Sequence, residues 1–219
     1  MQVEVLLTGI GGQGVQLAAK TLAMAATAEG RQVLMSSHYG GEMRGGQTEA
    51  SVVIADEGLR SVPILESVWS AYVMHARYWP AVADRLRPGG VVVANSTVVD
   101  ELPTGDFRLF PVPAGDLAVE VGAVMSSGFV LLGAYGAITG LVGVEALVSA
   151  MRELVPPYRT QHLVVNEAAL RAGAGAVTAL SAPAPFGAST SFGASTSFGA
   201  STSFGAPAGS ARAPVGTAG

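Results

Sequence analysis

Short apolar, β-branched runs alternate with segments of helical period over most of the chain. VEVLLT (3–8), RQVLMS (31–36), EASVVIA (49–55), AYVMH (71–75), GGVVVAN (89–95), FRLFPV (107–112) and HLVVNE (162–167) have the composition of strands. Several are continuously apolar, as strands buried on both faces are. Residues 15–29 read as a helix, and residues 78–86 predict another, stopped by Arg87-Pro88-Gly89-Gly90. Leu141, Val144, Leu147, Val148, Met151, Leu154 and Val155 follow i, i+3, i+4 spacing and make one apolar stripe, which Pro156-Pro157 ends. Strands alternating with helices predict an α/β sandwich with a mainly parallel sheet.

The alternation stops after Ala172. Beyond it the only charge is Arg212, and Gly, Ala, Ser, Thr and Pro dominate. FGASTS begins at Phe186, recurs at Phe192 and Phe198 and starts again at Phe204. Such short copies carry too little apolar mass to offset chain entropy. The organisation expected is a folded domain over residues 1–173 and a low-complexity, disordered tail over 174–219.

One stretch tests a membrane reading, because no residue from 121 to 144 is charged and that length spans a bilayer. Its flanks are Glu120 and Glu145 rather than basic residues, and glycine recurs through it. A buried or interface helix is expected instead, with no membrane contact, and the Gly136-xxx-Gly140 spacing puts two small residues on one helix face, which permits close backbone approach. Charged residues make up only 13% of the chain against 49% hydrophobic, which suggests that a partner covers part of the outside. A net charge of −4 offers no positive field to a nucleic acid. Cysteine is absent, so the chain has no thiolate for a disulfide, a nucleophile or an iron–sulfur cluster. The N-terminal MQVEVLL lacks a basic region before its apolar run, and a cytoplasmic location is expected.

The first chemistry-bearing motif is LLTGIGGQGV (6–15), in which Gly9, Gly11 and Gly14 match G-x-G-x-x-G with Gly12 and Gln13 between them. Glycines let the backbone turn sharply, and the free N–H groups of the following helix favour an anion. The same pattern also serves as a tight turn that lets helix pack on strand, and both readings stand at this point. A dinucleotide enzyme places an acid at the end of its second strand. Here that strand ends Leu34-Met35-Ser36-Ser37-His38, with only Arg31 nearby to meet a 2′-phosphate. Val15 after Gly14 excludes a P-loop.

A second dense patch, SSHYGGEMRGGQTEASVVIADE (36–57), packs glycines around Glu42 and Arg44. Arg44 suits a carboxylate or phosphate, with Glu42 orienting it; the alternative is a solvated ion pair on a glycine-rich turn. His38, His75 and His162 are dispersed, without an acidic or histidine neighbour at metal spacing. No metal site and no catalytic residue are expected in this chain. Lys20 is expected in solvent, and Asn95-Ser96 at a strand end suits either a ligand or a helix cap.

Together, GIGGQGVQLAAKTLAMAA and YGGEMRGGQTEASVVI resemble the gamma subunit, the pyruvate/ketoisovalerate oxidoreductase catalytic domain, of 2-oxoacid:ferredoxin oxidoreductases. LRPGGVVVANST, PAGDLAVEVG, FVLLGAYGAITGLV and VNEAALRAG follow in the family's order, so that the resemblance covers about residues 2–173. Ser70-Ala71-Tyr72 stands where relatives often have an Asp, and Ser126-Ser127 where they often have an Asn. The resemblance implies a Rossmann-like three-layer sandwich. It also implies a subunit, inactive alone, of an enzyme that decarboxylates a 2-oxoacid on thiamine diphosphate, passes electrons through iron–sulfur clusters to ferredoxin and transfers the acyl group to coenzyme A. Thiamine diphosphate, Mg and the clusters would sit in partners, namely the alpha and beta (thiamine-binding) and ferredoxin-like subunits. The candidate contacts to coenzyme A are Gly9, Gly11, Gly12, Gln13, Gly14, Tyr39, Glu42 and Arg44. A stand-alone nucleotide-binding protein and a non-catalytic scaffold are the competing readings.

Overall fold

A computed structural model of the chain describes residues 1–39, 45–60, 65–99 and 104–178. The strands are β1 (Gln2–Ile10), β2 (Gln32–Tyr39), β3 (Gln47–Ala55), β4 (Val68–Val73), β5 (Leu86–Asn95) and β6 (Phe107–Val112). The α-helices are α1 (Val15–Ala28), α2 (Trp79–Ala83), α3 (Ala114–Glu120), α4 (Ser127–Thr139), α5 (Val144–Leu154) and α6 (Leu163–Thr178). The FGASTS repeats lie outside the described residues.

The strands form one sheet in the order β2-β3-β1-β4-β5-β6. β1, β4, β5 and β6 are parallel neighbours, whereas β3 runs antiparallel to both β1 and β2. The sheet is therefore mainly parallel, with one reversed strand inserted beside β1. This insertion has a consequence for ligands. β2 follows α1 in the chain, yet it sits two strands away from β1, so its end does not flank the β1 turn as the second strand of a dinucleotide fold does.

Side chains on one face of the sheet, among them Val5, Leu7, Val52, Tyr72 and Val93, pack under α1, α3, α4, α5 and α6 in the main core. The other face, with Leu6, Val53, Ala71, Val73 and Val92, is covered by Leu65, Trp79 and Val82. The three layers are thus unequal. On the thin side two acids of the sheet meet arginines from the α2–β5 region: Glu49 takes Arg85 bidentately at 2.6 and 2.8 Å, and Glu4 pairs with Arg87 at 2.9 Å.

Two expectations are corrected, and a third is met in part. HLVVNE is not a strand, for Pro157–His162 is a 3₁₀ turn and α6 begins at Leu163. The buried positions Asn166, Ala169, Leu170 and Val177 follow helical spacing, a period that a six-residue window cannot display. The helix expected over 78–86 is only α2, and Leu86 to Gly90 already belong to β5. There the register with β4 shifts between Val68 and Ser70, and Gly89 takes φ 74° while donating to the Asp106 carbonyl. Pro88-Gly89 therefore makes an irregularity inside a strand rather than a stop.

The third concerns the uncharged run. It is divided between the residues that follow α3, a 3₁₀ turn at Val124–Ser126, α4 and the turn into α5, and no described helix is long and apolar enough to cross a membrane. All nine residues from Gly128 to Gly136 are buried, because α4 lies among the sheet, α1, α3, α5 and α6. The closest backbone approach within it is made by Gly133 against α6, while a Cβ on Gly136 would stand 3.2 Å from the Val142 carbonyl. Gly140 instead ends the helix at φ 64°, a left-handed cap that favours glycine.

Candidate functional site

The turn between β1 and α1 consists of residues 11–14 alone. Gln13 closes it: its backbone N–H donates to the Ile10 carbonyl at 3.1 Å, and its side-chain Oε1 accepts the Ile10 N–H at 2.8 Å. A Cβ on Gly9 would stand 2.7 Å from that Oε1, 2.8 Å from Val15 Cγ2 and 2.9 Å from Met74 Cβ. Gly9 and Gln13 are therefore occupied in building the turn. Gly12 and Gly14 behave differently, with φ of 102° and 78° and nothing within 4 Å of a Cβ built on either. Their backbone faces open space.

Above this open side stands the N-terminus of α1. Gly14 caps it with no side-chain hydrogen bond, and no acid lies in the first turn. A 14-residue helix presents N–H groups and about half a positive charge at this end. The first turn is anchored from below, where Gln16 Nε2 donates to the Glu49 carbonyl at 2.8 Å and Ser37 Oγ donates to Gln16 Oε1 at 2.6 Å. The turn is also tied to the second glycine patch, since the Gly11 N–H donates to the Gly46 carbonyl at 2.9 Å. Tyr39 is the last residue of β2 and pairs with Thr48. Glu42 and Arg44 lie outside the described residues.

A second helix N-terminus meets the turn, and nothing in the sequence pattern pointed to it. A Cβ on Gly128, in the first turn of α4, would be 2.9 Å from the Gln13 carbonyl and 3.4 Å from Tyr72 Oη. The Tyr72 hydroxyl donates to the Gly128 carbonyl at 2.8 Å, and Ser70 Oγ and Tyr135 Oη share a hydrogen bond of 2.7 Å. Both rings are fully buried and meet edge to face with centroids 6.5 Å apart. Burial pushes both phenols well above their ordinary range, and for Tyr135 the bond with Ser70 opposes that rise. Both remain protonated at any physiological pH. The only trace of this in the sequence is the i, i+2 spacing of Ser70 and Tyr72, which puts both on one face of β4.

Other candidates serve the fold. Arg31 donates to the Leu141 carbonyl and faces Asp56 at 3.5 Å, which removes it from any 2′-phosphate. Asn95 Oδ1 accepts the Thr97 N–H at 3.3 Å, and Thr97 Oγ1 accepts from Gly115 N at 3.0 Å at the start of α3. His75 Nδ1 accepts the Arg77 N–H at 3.1 Å, whereas His38, His162 and Lys20 are exposed. Among the described residues no three His, Cys, Asp or Glu stand together as a metal site.

A family model described as pyruvate ferredoxin/flavodoxin oxidoreductase matches residues 4–176. The 2-oxoglutarate synthase subunit KorC of Methanothermobacter marburgensis is 34% identical over 165 residues, covering 72% of this chain and 88% of the relative. The pyruvate/ketoisovalerate oxidoreductases common subunit gamma of Thermococcus kodakarensis is 30% identical over 162 residues, covering 69% of this chain and 85% of the relative. The crystal structure of the gamma subunit of a keto/oxoacid ferredoxin oxidoreductase from Geobacter sulfurreducens superposes with a TM-score of 0.69 at 29% identity, over 81% of this chain and 99% of that one.

Proposed function

The chain belongs to the pyruvate ferredoxin/flavodoxin oxidoreductase family, and from that premise we propose that it works as the gamma subunit of a 2-oxoacid:ferredoxin oxidoreductase and holds the phosphates of coenzyme A in its glycine turn. One observation carries the second half of this reading. The α1 N-terminus is free of side-chain caps and acids, and the positive-φ glycines before it leave their outer side open. A phosphate against unpartnered N–H groups at a helix N-terminus is favoured by hydrogen bonding and by the helix dipole together. The glycine turn fits a phosphate group, and in this reading Arg44, which lies outside the described residues, supplies a second, charged contact.

The residues of the chain do not fit an iron–sulfur cluster, since none is a cysteine. In this reading thiamine diphosphate, Mg and the clusters belong to the alpha and beta subunits and the ferredoxin-like subunit, and ferredoxin takes the electrons. Coenzyme A, when bound, supplies the thiol that accepts the acyl group. This chain's part is to hold the anionic end of that molecule: Gly12 and Gly14 give the backbone room to approach, Gln13 keeps the turn closed, and α1 supplies the field. Partner contact is supported by Val119, Val124, Met125 and Val164, which are 61%, 63%, 92% and 77% exposed. They lie on α3, the following turn and the start of α6, elements that pack on one another, and exposed apolar residues gathered on neighbouring elements are surface that another subunit covers. The place of work is the cytoplasm.

The test is kinetic. Gly11→Leu and Arg44→Ala should each raise the KM for coenzyme A in the assembled complex while leaving assembly intact, and unchanged coenzyme A kinetics in both variants would refute the assignment.

A further inference from the structure

α4 poses a problem that hydrophobic patterning does not solve. Its residues from Gly128 to Gly136 are buried all round, so no polar stripe fixes its rotation or its slide along the sheet as it does for an amphipathic helix. Directional bonds do so instead. Tyr72 reaches from β4 to the Gly128 carbonyl at 2.8 Å, and Tyr135 reaches back from α4 to Ser70 at 2.7 Å. Gly128 and Tyr135 lie about two helical turns apart on one face of α4, and Ser70 and Tyr72 share a face of β4. The two bonds therefore form a pair of pins along the helix, with the N-terminal pin at the carboxyl end of β4.

Only the N-terminal pin touches the glycine turn. Gly128 packs so closely under the turn that a Cβ there would meet the Gln13 carbonyl at 2.9 Å. Gln13 in turn holds Ile10 by both its backbone and its side chain. Tyr72 is also placed for this by register, because it pairs with Leu7 on β1, two residues before Gly9. A shift of α4 at Gly128 is thus passed to Gln13, and from there to the amides that open toward the ligand. Tyr135, two turns further on, packs its ring on Tyr72, but its hydroxyl bonds to Ser70 and not to Gly128.

We propose that the Tyr72 hydroxyl is a positioning residue for ligand binding: by holding the Gly128 carbonyl it sets α4 against Gln13 and so fixes the amides of Gly12, Gly14 and Val15 in the arrangement that receives a phosphate. This rests on the phosphate-holding reading above. Tyr135 is its built-in control, since its hydroxyl makes an equally buried bond from the same helix to the same strand at Ser70, and Tyr135→Phe removes that bond while keeping the ring that packs on Tyr72.

The experiment compares Tyr72→Phe with Tyr135→Phe in the complete complex, by amide hydrogen exchange over residues 6–17, by calorimetric titration with coenzyme A, and by the split between KM and kcat. Tyr72→Phe should exchange faster in the turn and bind coenzyme A about three- to tenfold more weakly, with kcat within about twofold. Tyr135→Phe should change neither exchange nor affinity. If the two variants behave alike, the bonds serve stability only and the proposal is overturned. If turn exchange rises in Tyr72→Phe while coenzyme A affinity holds, the proposal is likewise overturned; Gly11→Leu then shows whether the phosphate-holding reading falls with it, by leaving affinity unchanged, or stands alone, by lowering it.

Discussion

Gly133 on α4 lies directly against the Leu170 carbonyl of α6, close enough that even a methyl group on Gly133 would penetrate that backbone. Gly173 makes the reciprocal contact with Val130. The two helices therefore pack backbone to backbone, and the obstacle to a larger residue is a main-chain carbonyl that cannot rotate away. Gly133→Ala gains roughly 1 kcal/mol of helix propensity, but overpacking costs about 1–3 kcal/mol or more, and the steric term wins because the whole crossing must open. Gly175→Ala on the exposed side of α6 meets nothing within 4 Å and should stabilise by about 0.5–1 kcal/mol. Urea unfolding of both variants checks this, and a Gly133→Ala chain as stable as the parent would show that the two helices can separate at this crossing without cost.

The sheet was largely legible because its six strands are apolar runs, and β1, β3 and β6 fall where VEVLLT, EASVVIA and FRLFPV stand. The order was not. Nothing in EASVVIA says that it inserts between β1 and β2, since that depends on pairing across the 40–46 connection rather than on composition. The glycine motif was legible as a turn, but its division of labour was not: Gly9 is defined by Met74 and Val15, and Gly12 by the absence of neighbours. Gly128 and Tyr72 escaped notice because their roles arise only where α4 meets the turn, 56 residues apart in the chain.

Met125 is 92% exposed beside Val124, and solvation of both is compatible with a stable isolated chain. Met125→Glu should accordingly leave the melting temperature of the isolated chain unchanged and weaken its assembly with partner subunits, because a buried unpaired charge costs several kcal/mol at an interface. Co-purification and size-exclusion chromatography read this. Normal assembly would mean that this patch faces solvent in the complex.

Arg171 bridges α5 and α6 by donating to Glu145 at 2.6 and 3.0 Å and to Glu167 at 3.0 and 3.1 Å. These hydrogen bonds, joined at Glu167 by one from Arg152, hold both carboxyls below their ordinary value of 4.5. For a depressed carboxyl the stabilisation is complete above the unfolded value and is lost as pH falls through the folded one. Arg171→Met should therefore lower the melting temperature modestly at pH 6, as expected for exposed pairs, and the gap from the parent should close as pH drops below about 4.5 toward 3. Thermal scans across that range decide it: a gap that stays constant with pH would locate the loss in packing of the arginine stem instead.

Gln13→Glu separates the two roles that the glycine turn combines. The substituted side chain keeps an oxygen where Oε1 accepts the Ile10 N–H at 2.8 Å, so the turn can close as before. It also adds a negative charge beside the uncapped N-terminus of α1, which should stabilise the folded chain by about 0.3–1 kcal/mol through the helix dipole. The same charge opposes a phosphate at that place, so coenzyme A should bind more weakly even as the melting temperature holds or rises. Salt distinguishes repulsion from distortion. The Debye length shortens from about 30 Å at 0.01 M to about 10 Å at 0.1 M, and the affinity deficit should shrink over that range if charge is its cause. A variant that is stabilised yet binds coenzyme A normally would mean that the open side of the turn does not receive the phosphates, and the uncapped helix end would then need another anion.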